Sequence, residues 1–160
     1  MIDIRRVTGD DWELVRDVRL KALLDTPDWF WSTHEEEVSR LEAWWRDRIA
    51  SGAWFVARDG DRPVGIAAGI HAPETAESDR QLISMWVENE ARGRGIGRRL
   101  VAAVESWART DGARRLQLEV TDKNETGRRF YESYGFVATG RTEPLPRKPE
   151  LIEHEMVLEL

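Results

Sequence analysis

Residues 87–99 read Val-Glu-Asn-Glu-Ala-Arg-Gly-Arg-Gly-Ile-Gly-Arg-Arg and combine three alternating glycines with four arginines. It follows a short apolar run typical of a strand and leads into Gly95–Asp111, where apolar side chains recur at helical spacing. Glycine lacks a Cβ, so backbone N–H groups can point toward one spot, and the helix N-terminus adds partial positive charge. The stretch predicts a phosphate-binding loop; a flexible strand-to-helix turn is the alternative interpretation.

Two common phosphate loops do not match this stretch. A Walker A loop needs Gly-Lys-Ser/Thr at the helix start, whereas Gly97 is followed by Arg98 and Arg99. The dinucleotide fingerprint needs glycine at position 98 and opens its domain, whereas two predicted helices and three strands precede this loop. The sequence therefore excludes a P-loop and disfavours a dinucleotide fold.

The charge of the chain is unevenly distributed. Arg92–Arg129 contains ten Lys and Arg against five acidic residues, a net charge of +5, while the whole chain carries −6 and the remainder −11. A basic segment inside an acidic protein favours a local anionic ligand, although a solvated helix face is the alternative. A sequence pI near 5.2 disfavours nucleic acid as a partner.

Length and composition predict one globular domain over residues 1–160. The absence of cysteine excludes disulfides, thiolate metal sites and a cysteine nucleophile. We expect no signal peptide, no membrane span and a cytoplasmic location. His34, His71 and His154 are far apart and no zinc helix is formed, so we expect no metal.

The elements around the loop predict an α+β fold with a mixed sheet of about seven strands and about four helices. The predicted strands are 2–7, 54–58, 63–71, 81–87, 116–120, 136–141 and 152–158. The predicted helices begin after Asp11, at Ser32 or Thr33, near Gly95 and at Asn124, and the second runs unbroken to Gly52. A loop containing Pro144, Pro146 and Pro149 joins the last two strands. Strands 81–87 and 116–120 should be parallel through a right-handed crossover.

A second block completes a family pattern. Leu118-Glu119-Val120, Asn124 and the run Phe130–Phe136 follow the glycine loop in order. Together with Arg92–Gly97, which is similar to an R/Q-x-x-G-x-G/A signature, they resemble the GNAT superfamily of N-acetyltransferases. Asn89 departs from the proline of many members. The resemblance implies a single GNAT-like domain with splayed parallel strands forming a cofactor cleft, and acetyl-CoA as cosubstrate.

The resemblance also implies a set of cofactor-binding residues. Backbone groups of 85–87 would pair with the pantetheine arm as an added strand does, unless these residues are simply core. The set comprises Met85, Trp86, Val87, Arg92, Gly93, Arg94, Gly95, Ile96, Gly97, Arg98, Asn124, Phe130 and Tyr131. Asn124 is equally well explained as a helix N-cap. Arg128 and Arg129 either reach a phosphate or lie on a solvated face.

Three further roles concern the chemistry. Tyr131 matches the family's proton donor to the departing thiolate, with a buried structural tyrosine as the alternative. Glu119 is the first candidate for the base that deprotonates the amine and Glu88 the second; each is alternatively a surface carboxylate or an Arg partner. Trp29-Phe30-Trp31 is either part of a substrate pocket for an apolar or aromatic amine or part of the core.

The predicted function is transfer of an acetyl group to a primary amine of a small molecule or peptide. Without cysteine no acyl-thiol enzyme can form, so the amine should attack directly in a ternary complex. A non-catalytic module that binds CoA or acyl-CoA is the alternative function. The sequence leaves the acceptor open and is compatible with a homodimer; it indicates no nucleic-acid or membrane partner.

Overall fold

A computed structural model describes all 160 residues of the chain. The strands are β1 Ile2–Val7, β2 Gly52–Asp59, β3 Arg62–Ile70, β4 Asp79–Val87, β5 Arg115–Thr121, β6 Val137–Leu145 and β7 Lys148–Glu159. The helices are α1 Trp12–Asp25, α2 His34–Val38, α3 Glu42–Ala50, α4 Ile96–Thr110 and α5 Glu125–Tyr134.

The seven strands form one mixed sheet in the order β1-β2-β3-β4-β5-β7-β6. All neighbouring pairs are antiparallel except β4 and β5, which are parallel because α4 carries the chain back across the sheet between them. The predicted parallel pairing of these two strands through a helix is confirmed, and so is the α+β class with about seven strands.

The core lies in two layers, one on each face of the sheet. Alternation along β2 assigns its residues to the two layers: Phe55 packs in the layer with α4, and Trp54 packs in the layer with α1 and α3. Leu100 of α4 and Trp45 of α3 are fully buried in their respective layers. Because both faces of the central strands are covered, a ligand site requires a gap between neighbouring strands, a strand end or a loop.

β4 and β5 separate soon after they pair. Their parallel ladder covers only residues 79–81 against 115–117, although β4 continues to Val87 and β5 to Thr121. The register between β3 and β4 shifts between Ile66 and Ala68, where β4 holds an extra residue. Ser84 lies in this bulge with φ +56°. A bulge bends its strand, and the bent β4 leaves the edge of residues 82–87 unpaired toward β5.

Two elements differ from the sequence prediction. The second predicted helix is broken into α2 and α3, because the side chains around the break, Val38 and Leu41, are exposed and no buried stripe continues through them. The proline-rich connection is shorter than expected, since both strands extend into it. Pro144 is tolerated because β6 is an edge strand, where a missing N–H donor breaks no ladder bond.

Candidate active site

The loop between β4 and α4 presents a row of free backbone donors. The backbone N–H groups of residues 93–98 donate to no protein acceptor, and the first to close the helix is that of Arg99, which donates to the Gly95 carbonyl (3.1 Å). Unpaired N–H groups at a helix N-terminus, together with the helix dipole, form a binding site for an anion such as a pyrophosphate.

Glycines set the shape of this loop. Gly95 is the N-cap of α4 and has φ +78°, a left-handed conformation that a β-branched residue avoids. At Gly97 the constraint is space, because a Cβ there would lie 3.1 Å from Cε of Met85 and 3.3 Å from Cζ of Phe130. A side chain at position 97 would therefore push apart the walls of the cleft behind the loop.

A cavity of about 330 Å³ opens between this loop, the free edge of β4 and the start of α5. Of the cofactor-binding residues predicted from the sequence, all except Arg94 line it. Trp29, Thr126 and Gly127 complete the lining. Asn124 has both of its predicted placements, since it lines the cavity while its Oδ1 accepts a hydrogen bond from the Gly127 N–H (2.9 Å).

Arg92 is held in place at the mouth of this cavity. Its Nε donates to the Val87 carbonyl (2.9 Å), its Nη2 lies 3.3 Å from Asp25 Oδ2, and its guanidinium lies over the ring of Trp29. Asp25 also accepts from the indole Nε1 of Trp86 (2.9 Å). Trp86 itself is a core side chain, so its predicted contact with the cosubstrate reduces to its backbone.

The other arginines of the loop differ in where they point. The side chain of Arg94 does not line the cavity and pairs with Asp59 (2.8 Å), so its predicted cofactor contact is limited to its backbone N–H. Arg99 donates to the Ile2 carbonyl (2.9 Å) and so ties α4 to β1. Arg98 lines the cavity with its guanidinium over the ring of Tyr134. Arg92 and Arg98 are thus the loop cations that remain for a phosphate.

Tyr131 lies on α5 and lines the same cavity. Its ring packs edge-on against Phe130 and Phe136, with centroid separations of 5.2 and 5.7 Å. Burial raises the pKa of the Tyr131 hydroxyl above its ordinary value of 10.0, so the group is protonated at neutral pH. The hydroxyl donates to no protein group, which leaves it available as a hydrogen-bond or proton donor to a ligand.

A second cavity, of about 310 Å³, adjoins the first. The two share Trp29, and the second lies between β4, β5 and the connection from α1 to α2. Trp29, Phe30 and Trp31, the predicted substrate residues, all line it, and so does Glu119. Phe30 is also part of the core, which supports the core interpretation for that residue, while its contact with the cavity leaves the substrate-pocket interpretation a prediction.

Glu119 is set apart by its electrostatic surroundings. Desolvation and the nearby charge of Glu153, with smaller effects of Glu143 and Glu155, raise the pKa of Glu119 from 4.5 to about 7. Strand pairing produces this cluster, because Glu119 lies opposite Glu155 on β7, and Glu153 opposite Glu143 on β6. A carboxylate with a pKa near neutrality is suited to accept a proton from an amine.

Glu88 has a different environment. It is buried and paired with both Lys21 and Arg62, and their hydrogen bonds and charges lower its pKa. It lines neither cavity. A carboxylate held in its charged form by two cations is a poor proton acceptor, so Glu88 serves the structure and Glu119 is the remaining candidate base.

Sequence reasoning missed several residues of the second cavity. Glu153 is buried, accepts a hydrogen bond from Trp31 Nε1 (2.6 Å) and contributes to the raised pKa of Glu119. Arg19 and Arg48 also line this cavity. Arg19 occupies a position on the apolar stripe of α1 between Val15 and Leu23, which is a signal visible in the sequence.

The structure contains no group of three or more His, Asp or Glu side chains arranged to hold a metal ion. None of its helices is both long and apolar enough to cross a membrane.

The comparisons with known proteins agree with this architecture. The model of the Acetyltransferase (GNAT) family matches residues 19–136, so the chain belongs to that family. N-acetyltransferase 8F1 of Rattus norvegicus is 32% identical over 94 residues, 58% of this chain and 42% of that protein. This chain therefore spans about two fifths of the length of that relative.

Two further proteins match over most of their length. Peptidyl-lysine N-acetyltransferase YjaB of Salmonella typhimurium is 26% identical over 146 residues, 89% of this chain and 88% of that protein. The structure of Salmonella typhimurium yncA, solved with its cofactor acetyl-CoA, has a TM-score of 0.78 at 20% identity and covers all of this chain and 94% of its own. This similarity establishes the shared fold.

Proposed function

We propose that this chain is an acetyl-CoA-dependent N-acetyltransferase that transfers the acetyl group directly to a primary amine. The observation that carries the proposal is the junction of two cavities at the separation of β4 and β5, one beside a loop of free N–H donors and the other beside Glu119. Family membership and the acetyl-CoA bound to yncA support the same assignment.

The residues of the first cavity fit acetyl-CoA. The N–H groups of residues 93–98, with Arg92 and Arg98, suit its pyrophosphate. The unpaired edge of β4 at residues 85–87 offers main-chain groups to its extended amide-bearing arm, in the manner of an added strand. When bound, acetyl-CoA supplies an activated thioester carbonyl.

The proton movements follow from Glu119 and Tyr131. An alkyl ammonium has a pKa near about 10.4, so it must lose a proton before its lone pair can attack. Glu119 accepts that proton, directly or through water, the amine nitrogen bonds to the acetyl carbon, and the carbon–sulfur bond breaks. The Tyr131 hydroxyl donates its proton to the departing sulfur. Bonding to the acetyl carbon makes the nitrogen acidic, so its second proton passes to the Tyr131 oxygen as the amide forms and restores the hydroxyl.

Release of free thiol in the presence of candidate amines tests the proposal. Purified protein with acetyl-CoA is assayed against a panel of monoamines, polyamines, amino acids and lysine peptides, and the acetylated product is identified by mass. We expect thiol release that depends on one class of amine. Binding of acetyl-CoA without amine-dependent release by any of them would instead identify a non-catalytic acyl-CoA-binding module.

A further inference from the structure

The second cavity carries positive as well as negative charge. Arg19 enters it from α1 and Arg48 from α3, and both pair with one carboxylate, that of Glu37. Arg19 and Glu37 are almost fully buried, with 4% and 2% of their side chains exposed. Two guanidinium groups against one carboxylate leave one positive charge uncompensated at this wall.

The uncompensated charge belongs to Arg48. Each of the three guanidinium nitrogens of Arg19 has a partner, because Nε and Nη2 donate to the two oxygens of Glu37 (3.0 and 2.9 Å) and Nη1 donates to Ser84 Oγ (3.2 Å). Arg48 donates one hydrogen bond, from Nη1 to Glu37 Oε1 (2.9 Å), and its other N–H groups donate to no protein atom.

The position of Arg48 is fixed in advance of any ligand. Its guanidinium lies over the rings of Trp44 and Trp54, 5.0 and 5.1 Å from their centroids, and 22% of the side chain is exposed. Burial, with the charge of Arg19, lowers the pKa of Arg48 to about 10, which reflects the cost of keeping this charge desolvated without a full partner. A planar donor held between rings and short of acceptors is suited to bind a carboxylate.

The rest of the cavity supplies the complementary groups. Glu119 and Glu153 enter from β5 and β7 and favour an ammonium group, while Phe30 and Ile83 provide apolar surface. A cavity of about 310 Å³ accommodates a molecule of amino-acid size. An acceptor that fills it therefore meets an anionic wall, an apolar wall and a cationic guanidinium.

We propose that the acetyl acceptor is an amino acid with an apolar or aromatic side chain, its carboxylate bound by Arg48 and its amine placed at Glu119. The acetylation of this amino acid rests on the proposed function, whereas its binding is inferred from the residues of the second cavity alone. A polyamine would place a second positive charge beside Arg48, which disfavours its binding. A simple monoamine would leave the free N–H groups of Arg48 without an acceptor.

Three matched ligands test the assignment in the native protein: L-phenylalanine, L-phenylalaninamide and phenethylamine. They keep one ring and one amine and differ in the carboxylate. A charge-assisted hydrogen bond predicts that phenylalanine binds about tenfold or more tightly than the other two. Dissociation constants are measured by calorimetry with CoA present, and kcat/KM by thiol release with acetyl-CoA.

Arg48→Met removes the charge and keeps much of the volume. We expect the advantage of phenylalanine over its amide to disappear in this variant, with phenethylamine unaffected. The control is Arg46→Met, two residues earlier on α3, where the side chain pairs with Asp10 and Glu42 on the surface; the advantage should persist there. If Arg48→Met fails to fold, the comparison of the three ligands in the native protein still decides.

Equal or weaker binding of phenylalanine than of phenylalaninamide in the native protein would overturn the inference, and so would an advantage retained by folded Arg48→Met. Failure of the proposed function has a different signature, in which phenylalanine binds selectively but releases no thiol. Conversely, turnover of phenethylamine at the rate of phenylalanine would support acetyl transfer and reject the amino-acid acceptor.

Discussion

Among single residues, the proposed mechanism gives the proton transfers to Tyr131 and Glu119, which line different cavities. Tyr131→Phe removes one oxygen and keeps the ring that packs on Phe130 and Phe136. We expect kcat to fall by about 10²-fold, the lower range for loss of a general acid, with the dissociation constant of acetyl-CoA changed by less than about twofold. Steady-state kinetics and calorimetry measure the two quantities.

Tyr134→Phe is the matched control for that substitution. Tyr134 lies one turn further along α5, but its hydroxyl donates to Glu105 and does not line either cavity. Its loss should lower stability and leave kcat within about twofold. Equal kcat in native protein and Tyr131→Phe would remove this hydroxyl from the mechanism.

The raised pKa of Glu119 sets a pH dependence. Its carboxylate is the active form, so activity that depends on it increases as pH rises through about 7. In Glu119→Gln we expect kcat/KM at pH 8 to be lower by about 10²-fold. The ratio of native to variant rates should rise between pH 6 and 8 and then level off. Taking this ratio cancels the titration of the acceptor amine itself.

A neighbouring carboxylate provides the control. Glu143 helps to raise the pKa of Glu119 without lining the cavity. In Glu143→Gln, activity should therefore still increase with pH, but the increase should occur at lower pH than in the native protein. If the ratio of native to Glu119→Gln rates does not change with pH, another group accepts the proton.

At the scale of elements, the loop before α4 depends on backbone conformation more than on side chains. Gly95→Val places a β-branched residue at φ +78°, although there is open space for its Cβ. We expect the loop to leave this conformation and acetyl-CoA to bind at least about tenfold more weakly. The backbone strain alone is of order 1–2 kcal/mol, and loss of hydrogen bonds from the loop N–H groups would add to it. Calorimetric titration of acetyl-CoA measures the change.

Gly140→Val separates loop geometry from general strain. Gly140 has φ +89° in β6 and likewise has open space around its Cβ. This variant carries a similar backbone penalty at a residue that lines neither cavity, so its affinity for acetyl-CoA should match that of the native protein. A similar loss of affinity in both variants would argue against the phosphate loop.

Periodicity and glycine chemistry were sufficient to predict the element order and the placement of the loop, because local preferences and burial agree there. They were not sufficient for the break between α2 and α3, where Val38 and Leu41 are exposed and Glu37 contacts Arg19, a residue 18 positions earlier in the sequence. Glu153 was missed for the same reason. Its role is defined by strand register, which brings it opposite Thr121 and beside Glu119.

At the scale of the whole molecule, Glu37 connects three helices and the sheet. It pairs with Arg19 of α1 and Arg48 of α3, and Arg19 in turn holds Ser84 in the bulge of β4. Burial raises the pKa of Glu37, but the hydrogen bonds and charges of the two arginines outweigh it and lower the pKa below 4.5. Its stabilising contribution is therefore present above that pH and is lost as pH falls further.

Glu37→Gln leaves the buried guanidinium of Arg19 and the half-buried guanidinium of Arg48 without their shared counter-charge. We expect the free energy of unfolding at pH 7 to fall by about 3–5 kcal/mol, the range for breaking one partner of a buried ion pair. Urea denaturation measures it. Glu35→Gln, an exposed position on the same helix, should change stability by less than about 0.5 kcal/mol. A small effect at position 37 would mean that water replaces the carboxylate.

The bulge at Ser84 gives the sheet an edge in its interior. Outer edges invite pairing with foreign chains and have to be guarded against aggregation. The unpaired edge of β4 lies inside the sheet, and β5 closes one end of the gap beside it by pairing with β4 at residues 79–81. An occupant of this gap must lie along the unpaired main-chain groups of residues 82–87 and cannot continue past residue 81, where the two strands pair. The point at which the strands meet thus limits how far along β4 any ligand can extend.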